Sequence, residues 1–333
     1  MRVRRTLAAA LTATALVATT GGTATPATAA PDPAAKKGVL RTYAADTWRS
    51  FEAMLVEETG LPADNIAGNL RGRTRSGFTS PTNIGAYLWS TVAARDIGLI
   101  DRREARQRMR RTIRTVGRLE RHEPSGQFYN WYDPRTLEKL RTWPENGDPV
   151  KPFLSSVDNG WLATGLLLAA RAVPSLAPRA DRIRDRMDFG CYYNEAEGQG
   201  GQIRGGFWDE DPQDPAAVKG DYCGMGQEVW YTGHHYGAFN TEPRMASYLG
   251  IASGQIPRKH YYGTFRTFPG DTCDWSWTES QPTGEWRTYR GIDVYEGALR
   301  YRGMKIVPTW GGSMFEALMV PLFVPEERWG KRS

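Results

Sequence analysis

The stretch that decides the fold is Thr79 to Ile100, T-S-P-T-N-I-G-A-Y-L-W-S-T-V-A-A-R-D-I-G-L-I. Ser80 can cap a helix with its hydroxyl, and Pro81 at the first helical position gives up only an N–H that would have no intrahelical partner. The spacing predicts a helix from Pro81 to about Gly98. Ile84, Tyr87, Leu88, Thr91 and Val92 share one face, while Ala86, Ala93 and Ala94 keep the opposite side small. Such a helix is expected to be buried on most sides. Asn83 lies in its first turn, where backbone N–H groups and the positive end of the dipole point. It either makes a local hydrogen bond or offers a polar group at the helix mouth.

Outward from this helix, two kinds of helical segment alternate. Amphipathic segments run over roughly 42–58, 101–121 and 176–189, and more uniformly apolar ones over 81–98, 157–173, 241–253 and 313–323. Amphipathic helices belong outside and apolar ones inside. Links from inner to outer helices are short, whereas links from outer to inner helices are long. In antiparallel hairpins this gathers the long loops and the N-termini of the inner helices on one face. Long structured loops in a compact domain are usually functional. The expectation is an all-α fold, an (α/α)6-type toroid of inner and outer helices. Four pairs can be traced where six are needed, so the ring is expected to be incomplete at the C-terminus.

Residues 1–29 have the pattern of a secretory signal: Arg2, Arg4 and Arg5, an Ala/Leu/Val/Thr stretch, and Ala27-Thr28-Ala29 as a small-residue cleavage site. Export by the general route or, given Arg4-Arg5, the twin-arginine route is expected. Residues 30–40 read as a Pro/Ala/Lys linker, and 41–333 as a single toroid domain. No later run is apolar for long enough to span a bilayer. Loss of Arg2, Arg4 and Arg5 lowers the formal net charge from +6 to +3. The basic balance is too weak to point to nucleic acid. Arg103, Arg106, Arg110, Arg114 and Arg121 lie opposite Ala105, Met109, Thr112, Val116 and Leu119, as expected of a solvated outer face.

Cys191, Cys223 and Cys273 are too few for a disulfide-built scaffold but allow one bridge with one thiol left over, and their spacing indicates no metal site. Twelve tryptophans and fifteen tyrosines are many for this length, and a large share stand in Gly-, Pro- and Asp-rich loops. Flat aromatic faces in loops suit a cleft that stacks sugar rings.

Five blocks carry a specific resemblance: T-S-P-T-N-I-G, F-Y-N-W-Y-D (128–133), S-V-D-N-G-W-L-A (156–163), T-E-P-R-M-A-S-Y-L-G-I-A (241–252) and W-G-G-S-M-F-E-A-L-M (310–319). In order and over most of 42–319, they resemble the glucoamylase-like domain family, which is similar to endo-β-1,2-glucanases and the cyclising domain of cyclic β-1,2-glucan synthases. The resemblance implies an (α/α)6 barrel acting on a β-linked glucan, an oligo- or polysaccharide as partner, and no cofactor. Members of that family continue well past the F-E-A-L-M block.

Glycoside hydrolysis needs two carboxyl groups, one protonated to donate to the leaving oxygen and one ionised to activate water or attack carbon. Asp158, Glu242 and Glu316 are the catalytic candidates, each near the start of an inner segment. Asp158 sits where a helix dipole favours an anion, and could equally be a cap. Glu242, in T-E-P-R, matches an acidic-x-Arg element of the family; a salt bridge to Arg244 is its structural alternative. Glu316 follows Met314-Phe315 and either lies deeper, where desolvation suits an acid, or is a buried, hydrogen-bonded structural glutamate. Asn83, Tyr129, Trp131, Asp133, Asn159 and Arg244 are the candidate substrate contacts. Tyr129 and Trp131 could instead pack under a loop, Asp133 could cap the turn before Pro134, and Trp161 reads as core. Asp209-Glu210-Asp211 reads as a solvated triplet.

Two other classes fit the same pattern. A polysaccharide lyase would use His235 or Tyr236 as base beside a cationic uronate pocket. A non-catalytic glycan-binding module would keep the aromatic mouth without the chemistry. A terpenoid cyclase is disfavoured, since 209–211 lacks the aspartate spacing for a magnesium cluster.

Overall fold

The computed structural model describes residues 33–266, 282–307, 309 and 313–330. The expected signal at 1–29, Cys273, and Trp310 to Gly312 of the last motif block lie outside them. The chain divides into two compact units, the first ending at Thr42 and the second starting at Tyr43. Helix α1 (Pro33–Met54) begins within the stretch expected to be linker, and its residues from Tyr43 onward belong to the second unit. Every later element belongs to that second unit.

Its helical centre is built from α2 (Pro81–Asp96), α3 (Arg102–Val116), α4 (Ser156–Ala172), α5 (Ala177–Arg184) and α6 (Arg244–Ala252). Helix α2 starts where the sequence predicts. Ser80 Oγ accepts from Asn83 N, and Asn83 Oδ1 accepts from Ser80 N, closing a capping box. Ile84, Tyr87, Leu88 and Thr91 are buried. On α3, Ala105, Met109, Thr112 and Val116 face inward while Arg103, Arg106, Arg110 and Arg114 are exposed, and Arg121 beyond the helix is half-buried.

Helices α2 and α4 approach so closely that glycine is required at the crossing. A Cβ on Gly85 would lie 2.4 Å from the Trp161 carbonyl oxygen, and one on Gly165 would lie 2.7 Å from Gly85 Cα. Ala246 of α6 meets α4 at Gly160, where a Cβ would stand 3.2 Å away. These contacts set the depth of Asp158 and Trp161 on α4.

The long loops are not structureless, and this corrects the all-α expectation. Among the described residues there are twelve strands, most of them short. Strands β1 (Leu55–Val56) and β2 (Leu61–Pro62) form a two-stranded ribbon. Then β3 (Phe153–Ser155) leads into α4, and the connection from α5 to α6 carries β4 (Tyr193–Asn194), β5 (Gln202–Arg204), β6 (Gly206–Trp208), β7 (Val218–Asp221), β8 (Glu228–Tyr231) and β9 (His235–Tyr236). Two antiparallel sheets result, in the orders β3-β6-β8-β7 and β4-β5-β9. Strands β10 (Thr283–Tyr289), β11 (Ile292–Tyr301) and β12 (Met304–Ile306) form a meander. The remaining helices are short: α7 (His260–Gly263), α8 (Met314–Leu318) and α9 (Glu326–Trp329). Cys191 and Cys223 form a disulfide that ties the chain before β4 to the β7–β8 connection. Among the described residues no helix is long and apolar enough to cross a membrane.

Candidate active site

Three elements distant in sequence bring their carboxyl groups to one cavity of about 660 Å³. Asp158 comes from the first turn of α4, Glu242 from just before α6, and Glu316 from α8. Gln202, His234, His235, Tyr236 and Phe265 complete much of the wall. The position of Asp158 follows from local sequence, because Ser155 Oγ caps α4 by accepting the Asp158 N–H at 3.1 Å. Its carboxylate is therefore not needed as the cap and sits half-buried at the cavity.

Glu242 is the perturbed group. Burial is the main cause, the charges of Glu316 and Asp158 add to it, and its pKa is pushed up to about 7. A hydrogen bond from Trp161 opposes the shift: the indole Nε1–H donates to Glu242 Oε2 at 2.7 Å. The Glu242 main-chain N–H donates to Glu316 Oε2 at 2.9 Å, which fixes the second carboxylate beside the first. Tyr236 responds to the same group of acids. Burial, then the charges of Asp158, Glu242 and Glu316, raise it to about 12. Glu316, expected to lie deeper, is half-buried as Glu242 is, and its carboxylate is held by the Glu242 main-chain N–H.

Trp161 is wholly buried, as core aromatics are, yet its one polar atom reaches the cavity acid. Trp89 and Phe323 pack around it with ring centroids 5.5 and 5.7 Å away. No local signal marks this role, because donor and acceptor lie 81 residues apart. Gln202 was likewise not singled out by the sequence.

Most of the expected substrate contacts are committed to the protein instead. Asn83 closes the α2 capping box. Asn159 is buried, accepting from Phe128 N and donating to the carbonyls of Phe128 and Ser155. Asp133 Oδ1 accepts from the N–H groups of Arg135 and Thr136, as its turn-capping alternative requires. Tyr129 donates its hydroxyl to Asp209 at 2.6 Å and carries the Lys139 ammonium over its ring. Trp131 packs on Trp143, with centroids 4.6 Å apart. Arg244 does not pair with Glu242; it is buried, holds Glu326 with Nε and Nη2 at 2.7 and 2.8 Å, and donates to the Thr241 carbonyl. None of these six lines the carboxylate cavity. The acidic triplet is also spoken for, with Asp209 on Tyr129, Glu210 on Arg141 and Asp211 on its own turn.

A family described as a protein of unknown function, DUF3131, matches residues 42–234. The chain is 38% identical over 130 residues to the cyclic beta-(1,2)-glucan synthase NdvB of Rhizobium meliloti (strain 1021), a match covering 38% of this chain and 4% of that protein. Among solved structures, a "putative glucoamylase" from Bacteroides uniformis ATCC 8492 superposes with a TM-score of 0.50 at 14% identity, covering 78% of this chain and 55% of that one. The endo-beta-1,2-glucanase of Chitinophaga pinensis, in complex with sophorotriose and glucose, gives 0.46 at 13% identity, covering 81% and 56%. The chain thus spans little more than half of these two structures and a small part of the synthase.

Proposed function

We propose that this chain, which belongs to the DUF3131 family, is a glycoside hydrolase that cuts a β-linked glucan, with β-1,2-glucan favoured, on a scaffold of the α/α-toroid kind. One observation carries the proposal: three carboxyl groups share a cavity, and in it Glu242 is pushed up to about 7. A carboxyl poised there can hold a proton at neutral pH and release it to a leaving oxygen. Glu242 is the general acid. Asp158, at the positive end of the α4 dipole, is the anionic partner that activates water or attacks the anomeric carbon. Glu316 holds negative charge close to Glu242 and so keeps its proton in place. The paired helices α2–α3 and α4–α5, with α6 beyond them, support the toroid scaffold, and the N-terminal pattern supports export. The names of the synthase and the glucanase support the linkage.

Elimination chemistry is the poorer fit. A uronate substrate needs a cation beside its carboxylate, and among the described residues no Arg or Lys lines this cavity. Tyr236, one of the two candidate bases, is raised to about 12, away from the value a base needs at neutral pH. The test is incubation of the protein with a panel of β-linked glucans, following reducing ends and ultraviolet absorbance. The expected result is oligosaccharide release from β-1,2-glucan without unsaturated products, abolished in Glu242→Gln and Asp158→Asn. Activity on no member of the panel, or full activity in both variants, refutes the proposal.

A further inference from the structure

Beside the cavity, one row of the β3-β6-β8-β7 sheet is aromatic on the face away from the core. Phe153 of β3 pairs in register with Trp208 of β6, Trp208 with Trp230 of β8, and Trp230 with Lys219 of β7. Successive residues of a strand point to opposite faces. The next row, Leu154, Phe207 and Tyr231, is buried and packs into the hydrophobic core. Phe153, Trp208 and Trp230 therefore share the opposite face, where each remains partly exposed. The rings of Phe153 and Trp208 are 4.7 Å apart, and the Lys219 ammonium, itself paired with Glu228, lies 5.6 Å from the Trp230 ring.

The row ends close to the carboxylate cavity. Ser155, two residues beyond Phe153 on β3 and thus on the same face, lines that cavity, and His234, three residues past the end of β8, lines it too. Cross-strand aromatic pairs stabilise sheets, but burial would serve that purpose better than partial exposure. Three rings alongside a charged pair instead offer apolar faces for the C–H surface of a pyranose and polar groups for its hydroxyls.

We propose that Phe153, Trp208 and Trp230 form an outer stacking platform for the part of a β-glucan chain that extends beyond the cavity. With strands ~4.8 Å apart, the three-strand row spans about 10 Å, on the order of two pyranose rings. The platform rests on the proposed glucan hydrolase function, and it adds that long chains bind more tightly than short ones because of these rings.

The test measures binding in the Glu242→Gln background, so that turnover does not interfere. Titration calorimetry compares long β-1,2-glucan with its trimer. Trp208→Ala and Trp230→Ala are each expected to weaken the long chain about three- to tenfold and to leave the trimer unchanged. Trp208→Phe, which keeps a ring, is expected to retain most of the affinity. Should an alanine variant fail to fold, the indole N–H signals of Trp208 and Trp230 in the otherwise unaltered Glu242→Gln protein supply the answer, shifting with the long chain and not with the trimer. Unchanged long-chain affinity in both folded variants, equal losses for long chain and trimer, or unmoved indole signals overturn the platform. If the unaltered protein cuts β-glucan while these results fail, only the platform falls. If it neither binds nor cuts any β-glucan, the hydrolase reading falls with it.

Discussion

Replacing Trp161 by Phe removes a single donor from Glu242 while keeping an aromatic ring between Trp89 and Phe323. A hydrogen bond to a charged group is worth about 1.5–3 kcal/mol and one between neutral groups about 0.5–1.5 kcal/mol. The indole N–H thus favours the ionised over the neutral carboxyl by about 1–1.5 kcal/mol, which is about one pKa unit. The bond lowers the pKa that burial raises, so its loss moves Glu242 from about 7 upward by about one unit. A general acid works only while protonated, so activity falls as pH climbs through this value. In Trp161→Phe the alkaline limb of the kcat/KM profile on β-glucan should move up by about one unit. Carbon NMR of the labelled Glu242 carboxyl should show the same displacement without substrate. A folded Trp161→Phe protein whose midpoint matches the parent in both measurements would refute the coupling.

The raised pKa of Glu242 has a stability consequence of opposite benefit. From 4.5 unfolded to about 7 folded, the native state holds the proton more tightly, so stability falls as pH rises through that window. The loss is on the order of 3 kcal/mol once pH passes 8. Glu242→Gln should therefore be the more stable protein at pH 8 and show no such advantage at pH 4, by urea unfolding. Arg244→Met strands Glu326, the partner of a guanidinium whose side chain is 3% exposed, and should cost about 3–5 kcal/mol. The Arg244→Met/Glu326→Met double variant should recover much of that loss in the same assay. Asn83→Ala opens the α2 capping box and should lose about 1 kcal/mol with KM for β-glucan unchanged; a raised KM would return Asn83 to the substrate.

Which features the sequence made legible depends on how local their causes are. Ser80, Pro81 and Asn83 fix the start of α2 within four residues, and the alternation of short and long links places Asp158, Glu242 and Glu316 on one face. Such signals survive without knowledge of the rest of the chain. The identity of the buried acid does not, because it depends on Trp161 and on the depth of α6 against α4. The same holds for Arg244, whose carboxylate is Glu326, 82 residues on, and not the nearby Glu242. Most of the strands that break the all-α expectation are two to four residues long, too short for a period of two to register. Asn83, Asn159 and Asp133 share a further cause. Short polar side chains at helix starts and turns are drawn to backbone N–H groups as strongly as to a ligand, and here the backbone takes them.

The motif that opens α2 reaches the proposed acid through Gly85. In an isolated helix, Gly85→Ala should stabilise by about 1 kcal/mol, since glycine is the poorer helix former. In this fold the added Cβ would meet the Trp161 carbonyl oxygen at 2.4 Å and its carbon at 2.7 Å, and both atoms belong to backbone that cannot rotate away. Helices α2 and α4 must then separate, at an overpacking cost of about 1–3 kcal/mol. The indole that reaches Glu242 at 2.7 Å is carried on the displaced backbone. Gly85→Ala should accordingly lower the urea midpoint and, in the folded protein, raise the Glu242 pKa in the direction expected for Trp161→Phe. Greater stability in Gly85→Ala, with an unmoved Glu242 titration, would mean that helix propensity outweighs the crossing and that Gly85 does not set the position of Trp161.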